Sequence, residues 1–214
     1  MSNAQAVVFD LGNVLIGWDP EGFFDSLMPQ KDRRRMFQTV DLADMNRRID
    51  LGAPFKETIY ETADKHPEFT EIIRLWHDRW IEMAAPAIDH SVALLRALRT
   101  KGVPVFALTN FGIESFAVAA AHYPFLVEFD KRYISGHLKV MKPDPRIYDI
   151  VEQDCGFAPR ELLFTDDRAD NIQAARQRGW QGHLFETSMG WADCLVSHNL
   201  LNTSEAGLEK PEAS

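Results

Sequence analysis

The stretch AVVFDLGNVLIGWDP, Ala6 to Pro20, places a carboxylate where an apolar run predicts one more apolar residue. Val7, Val8 and Phe9 lack the alternation of a half-exposed strand and read as the end of a buried one, and Asp10 follows directly. Gly12 and Asn13 tolerate positive φ, so a turn after Asp10 is a sufficient local explanation of these four residues. In open parallel sheets, however, ligands bind beyond the carboxyl ends of the strands, which makes Asp10 a candidate functional residue.

Past Pro86 the chain alternates helix and strand patterns. DHSVALLRALRTKG reads as a helix with Asp89 as N-cap, Val92, Leu95 and Leu98 on one face, and Gly102 past its end. VPVFALTN is a strand, the Ala-rich run from Glu114 to His122 a helix, PRIYDIVEQDCG a helix opening on Pro145, ELLFTDD a strand, ADNIQAARQRG a helix closed by Gly179, and GHLFE a last short strand. This rhythm predicts an α/β fold, a doubly wound parallel sheet with helices on both faces. Trp18 to Ala85 contains no strand pattern; EIIRLWHDRWIEM instead places Ile72, Leu75, Trp76, Trp80 and Met83 on one stripe. The expected organisation is a Rossmann-like core from 1–17 and 86–201, a small helical domain inserted over 18–85, and an unstructured tail over 202–214.

The 214 residues carry a net charge of −9, and the one dense basic run, Lys31 to Arg35, is short, which argues against nucleic acid as a partner. The two cysteines, Cys155 and Cys194, lack metal-ligand spacing and are expected to be packing residues in a reducing cytoplasm. No membrane-spanning run or signal-peptide pattern is present, so neither a membrane nor secretion is expected.

Four strand-end positions carry polar chemistry: Asp10; Thr109 with Asn110; Lys142 in VMKPDP; and Asp166 with Asp167. Each alone has a structural explanation as a turn, a helix cap or a solvated side chain. Together, three carboxylates at one sheet edge repel unless a lysine or a divalent cation neutralises them, and hard oxygen ligands suit Mg²⁺. Such a site holds the parts of phosphoryl transfer: a carboxylate nucleophile, cations to spread charge, and donors around the phosphoryl oxygens. Asp144 can cap the helix that Pro145 begins, which makes the Lys142 loop stiff.

The order VVFDLGNVL, ALTN, KPDPRIY and LFTDDRADNIQAARQRG resembles the four motifs of the haloacid dehalogenase-like (HAD) hydrolase superfamily, from about Ala6 to Glu186. The helical insert resembles that superfamily's type 1 cap, and DLGNVL resembles a branch that contains sugar-phosphate phosphatases. The resemblance implies a nucleophilic Asp10 that forms an aspartyl-phosphate, Thr109 and the Asn110 backbone around the phosphoryl group, and Lys142 bridging nucleophile and phosphate. It implies Mg²⁺ held by Asp10, Asp167 and the Gly12 carbonyl, with Asp166 binding directly or through water. The expected function is a Mg²⁺-dependent phosphatase of a small phosphorylated metabolite such as a sugar phosphate, acting as a monomer or homodimer. The alternatives are a 2-haloacid dehalogenase, or a weakly active or non-catalytic phosphometabolite-binding protein.

Gly12 departs from the pattern, because most relatives carry there a second Asp that protonates the leaving oxygen. Candidates for that role are Asp19, Asp50, a histidine, or solvent alone, and with solvent the leaving group's acidity should control the rate. In RRIDLGAP, where relatives often show an acid, an Arg and a Gly, Asp50 and Gly52 fit and Leu51 does not. Arg47, Arg48 and Arg79 are candidate substrate contacts or surface ion pairs.

Overall fold

The structure, a computed structural model, describes residues 4–208. Strands β1 (Ala6–Phe9), β2 (Val105–Thr109), β3 (Lys131–Ile134), β4 (Leu162–Asp166) and β5 (Gln181–Leu184) form one parallel sheet in the order β3-β2-β1-β4-β5. Between β1 and β2 lie α1 (Pro20–Asp25), α2 (Gln30–Thr39), α3 (Leu42–Asp50), α4 (Phe55–Asp64), α5 (Thr70–Asp78), α6 (Trp80–Met83) and α7 (Asp89–Thr100). They are followed by α8 (Ile113–His122), α9 (Ser135–Leu138), α10 (Pro145–Asp154), α11 (Ala169–Gln177) and α12 (Ser188–Ser197).

The unbroken apolar run of β1 follows from its central place, because alternate residues serve opposite faces and both are covered. Val7 and Phe9 pack into one core with Leu95 and Leu98 of α7 and Trp191 and Leu195 of α12. Ala6 and Val8 pack into a second with Ile147 and Tyr148 of α10 and Ile172 of α11. The chain runs β1, β2, β3 to one side and then crosses back to β4 and β5, so the strand order reverses between β1 and β4. That switch point is where a doubly wound sheet opens a crevice at its carboxyl edge.

Several local expectations are corrected. β3 carries no readable strand signal: only Tyr133 and Ile134 of its four residues are buried, while Lys131 and Arg132 lie toward solvent at the sheet edge. The stripe expected along 71–83 breaks at Arg79 into α5 and α6, and Ile73 takes the fully buried place that Ile72 and Leu75 occupy only in part. Asp89 opens α7 rather than capping it, with Ile88 at the cap position. The disorder expected from 202 onward does not extend to 202–208. There Ala206 is buried, its carbonyl accepts from His90 Nε2 at 3.0 Å, and Lys101 pairs with Glu205 at 2.7 Å, tying the segment back to α7. The remainder of that tail, 209–214, lies outside the described residues.

Candidate active site

Asp10 continues the β1–β4 ladder one step past the strand, its N–H donating to the Thr165 carbonyl at 2.9 Å. That bond fixes the carboxylate at the switch point. Its Oδ1 accepts from the Leu11 N–H at 2.7 Å and from Lys142 Nζ at 3.0 Å. Lys142 comes from the loop before α10 and spends its other donors on Asp166 Oδ2 at 2.6 Å and the Leu108 carbonyl at 2.7 Å. The loop itself is clamped by Asn110, whose Oδ1 accepts from the Lys142 N–H at 2.8 Å while its Nδ2 donates to the Lys142 carbonyl at 3.0 Å. As expected, Asp144 caps α10 by accepting from the Arg146 N–H at 2.9 Å.

Asp166 ends β4 with no solvent exposure, and its oxygens accept four bonds: from Lys142 Nζ, from the Arg168 N–H at 2.8 Å, and from Asn171 Nδ2 at 3.0 Å to each oxygen. Asp167 is more open and accepts from Asn13 Nδ2 at 2.9 Å. Asn13 sits at φ 55°, a left-handed conformation that Asn tolerates better than most residues, and its Oδ1 also accepts the Trp18 N–H at 2.9 Å.

Burial raises the Asp10 carboxyl to about 7; Lys142 opposes the rise and Asp166 adds to it. Burial lowers Lys142, but Asp10 and Asp166 outweigh it and hold the ammonium above its ordinary value. Two buried acids thus share one buried cation, a group short of one positive charge. Oxygens of Asp10, Asp166 and Asp167 lie within 4.8 Å of one another, and Asn171 Oδ1 is buried with no hydrogen-bond partner among the described residues. This donor set fits a hard divalent cation such as Mg²⁺. Asp10 and Asp167 each retain an oxygen without a hydrogen-bond donor among the described residues, whereas Asp166 is saturated.

Asp10, Lys142, Asp167 and Asn171 floor a cavity of about 680 Å³, with Asp166 buried beneath them. Thr109 and Asn110 line it from the end of β2, as does Gly12, where an added Cβ would meet nothing within 4 Å. Its opposite walls come from the helices between β1 and α7, with Phe37, Asn46, Asp50, Trp76 and Trp80. All seven expected site residues, Asp10, Gly12, Thr109, Asn110, Lys142, Asp166 and Asp167, therefore fall around one point. The arginines divide: Arg47 lines the cavity while pairing with Asp44, whereas Arg48 pairs with Asp44 and Arg79 with Glu82 and do not line it. Asn13 reads in the sequence only as a turn residue, and Asn171 has no assigned role. Each stands within a quoted motif, but its carboxylate partner is visible only in three dimensions.

A family model described as hydrolase, haloacid dehalogenase-like hydrolase, matches residues 4–179. A sesquiterpene phosphatase, astK, of Aspergillus oryzae is 26% identical over 200 residues, covering 92% of this chain and 96% of that protein. A D-ribitol-5-phosphate phosphatase of Bacteroides thetaiotaomicron is 23% identical over 200 residues, covering 89% of this chain and 96% of that one. Among solved structures, a HAD family enzyme of Bacteroides thetaiotaomicron in complex with magnesium and inorganic phosphate superposes with a TM-score of 0.65 at 21% identity, covering 86% of this chain and 95% of that chain.

Proposed function

The chain belongs to the haloacid dehalogenase-like hydrolases, and from that premise we propose that it is a Mg²⁺-dependent phosphatase of a small phosphorylated metabolite, working through an aspartyl-phosphate on Asp10. The observation that carries this reading is the charge balance at the switch point, where three carboxylates gather around one buried lysine and Asp10, Asp167 and Lys142 line a cavity large enough for a metabolite. Its phosphatase relatives support the same reaction class.

Asp10, Asp167 and the Gly12 carbonyl would hold Mg²⁺, and saturated Asp166 would reach it through water. The bound cation would draw charge from the phosphoryl oxygens during transfer. The Asp10 carboxylate attacks phosphorus while Lys142, bonded to its Oδ1, fixes the line of attack. Thr109 and the Asn110 N–H take the phosphoryl oxygens; the Asn110 side chain is occupied in clamping Lys142. Residues 18–85 act as a cap over this floor. Halide displacement needs no metal and gives the paired acids no task, which disfavours a 2-haloacid dehalogenase. Two free cysteines fit a reducing, cytoplasmic setting.

The test is a panel of phosphate esters assayed with EDTA and again after Mg²⁺ is restored. Activity lost and regained supports the proposal; turnover of 2-haloacids in EDTA, with no ester cleaved, would overturn it.

A further inference from the structure

We propose that Asp50, carried into the cavity at the end of α3, is the general acid and base of the reaction and takes the role that Gly12 leaves empty. The inference rests on the phosphatase reading above. It begins from an inventory of the acids that line the cavity: Asp10, Glu21, Asp41, Asp50 and Asp167. Asp10 and Asp167 belong to the cation cluster, Glu21 is paired with Arg33, and Asp41 caps α3 by accepting the Asp44 N–H at 2.9 Å. Asp50 alone in this set has, among the described residues, no cation partner, no helix to cap and no place in the cluster. Of the other candidates, Asp19 faces solvent and caps α1 through the Gly22 N–H at 2.8 Å, and no histidine lines the cavity among the described residues.

Asp50 is also held in place. Its carbonyl accepts from Ser135 Oγ at 2.6 Å, Lys139 Nζ donates to the Gly52 carbonyl at 3.0 Å, and the Phe55 N–H donates to Glu114 Oε2 at 3.2 Å. Gly52, at φ +86°, lies so close to the core that a Cβ there would come within 2.3 Å of the Gly136 carbonyl oxygen. The loop after α3 is thus bolted to the carboxyl edge of the sheet, which gives the carboxyl the fixed placement that proton transfer requires. On the side chain, Asn46 Nδ2 donates to Oδ2 at 2.9 Å and the Gly112 N–H also donates to the carboxyl.

Burial pushes Asp50 up to about 8; the Gly112 N–H opposes this and the Asp10 charge adds to it. The carboxyl is therefore protonated near neutral pH and able to donate. The charged groups around it are Asp10, Lys142 and Asp167 on the floor, Asp41, Glu21, Arg47 and Arg168 on the walls, and Lys139 and Glu114 at the loop anchors.

In the first step, the bond from an Asp10 carboxylate oxygen to phosphorus forms and the ester P–O bond breaks, while the Asp50 proton passes to the departing oxygen and an alcohol leaves neutral. In the second, Asp50 carboxylate takes a proton from water as that oxygen attacks phosphorus. The Asp10–phosphorus bond breaks, phosphate leaves, and both side chains return to their starting states.

The test compares esters of graded leaving-group pKa in the native protein, in Asp50→Asn and in Asp50→Asn with Gly12→Asp, all with Mg²⁺ present. Asn retains an acceptor for Asn46 and Gly112 but cannot donate the proton. Native rates should depend weakly on leaving-group pKa, and the alkaline fall of kcat/KM, expected at or below about 8, should vanish in Asp50→Asn. Asp50→Asn should slow primary alkyl phosphates by roughly 10²- to 10³-fold and aryl phosphates by less than about tenfold, with partial rescue by Gly12→Asp. Equal slowing of alkyl and aryl esters, or a steep native dependence on leaving-group pKa, would overturn the role of Asp50 alone. Absence of any Mg²⁺-dependent cleavage of aryl phosphates by the native protein would overturn the phosphatase reading itself.

Discussion

Lys142 is the single cation within bonding distance of both Asp10 and Asp166 among the described residues, and each of the three is at least nine-tenths buried. Replacing it by Met would leave two carboxylates in a low-dielectric pocket, a loss of about 3–5 kcal/mol for a broken buried pair. Asp10→Asn removes one of those charges instead, so it should abolish turnover while the fold persists, as circular dichroism and a phosphate-release assay would show. The pH dependence has a definite sign. The Asp10 carboxyl stands at about 7 in the fold against 3.8 in the unfolded chain, so folding takes up a proton and stability falls as pH rises through that window. The deficit of Lys142→Met should therefore be larger at pH 8 than at pH 5.5 in urea unfolding. The proposed Mg²⁺ would act oppositely, since it would bind the ionised carboxylates, and should raise the melting temperature more at pH 8 than at pH 5.5. Equal shifts at both pH values would contradict the assigned ligands.

At the level of elements, the two passages between the sheet and helices α1–α6 run side by side. The Gly17 N–H donates to the Pro86 carbonyl at 2.8 Å, the Ile88 N–H to the Leu15 carbonyl at 2.8 Å, and Ile16 bridges antiparallel to Ala87. Here the absence of a side chain has a steric reason: a Cβ on Gly17 would stand 2.5 Å from the Ala85 carbonyl oxygen, which is backbone and cannot turn aside. Gly17→Ala should cost about 1–3 kcal/mol through the enforced shift of these crossing segments. Gly12→Ala, with nothing within 4 Å of its Cβ, should stay within about 0.5 kcal/mol. Chemical denaturation of the two variants makes the comparison; a similar loss in both would refute the steric account. The same paired crossing is where a hinge for the proposed cap would lie.

For the whole molecule, the cavity has a floor from the sheet's carboxyl edge and a roof from the helices between β1 and α7. The floor holds the groups suited to a phosphoryl group and a cation. The roof holds Phe37, Trp76 and Trp80 together with Asn46 and Asp50, which in the proposed reaction would face the part of the substrate that carries the phosphate. Exchanging residues 18–85 for the matching segment of a relative should reorder the preferred substrates without changing the Mg²⁺ dependence proposed for the floor. An unchanged substrate ranking would place recognition on the floor instead.

The doubly wound sheet and the set of strand-end residues were legible because their signals are local. An apolar run without alternation reports burial on both faces, and a carboxylate directly after it reports the strand's carboxyl end, whatever lies elsewhere in the chain. β3 was not legible, since a four-residue edge strand with two charged members has too little periodicity to register. Asn13 reads as a turn residue and Asn171 as part of a helix pattern, and only the fold sets them against Asp167 and Asp166. Asp50 could be named a candidate from its place in RRIDLGAP, but nothing near it in the chain distinguishes it from Asp19. Its partial burial comes from docking against Gly112 and Ser135, residues more than sixty positions away, while Asp19 stays in solvent. Periodicity along the chain records which faces are covered. Desolvation and hydrogen-bond partners, which set the proton affinity of a carboxyl, arise only where distant segments meet.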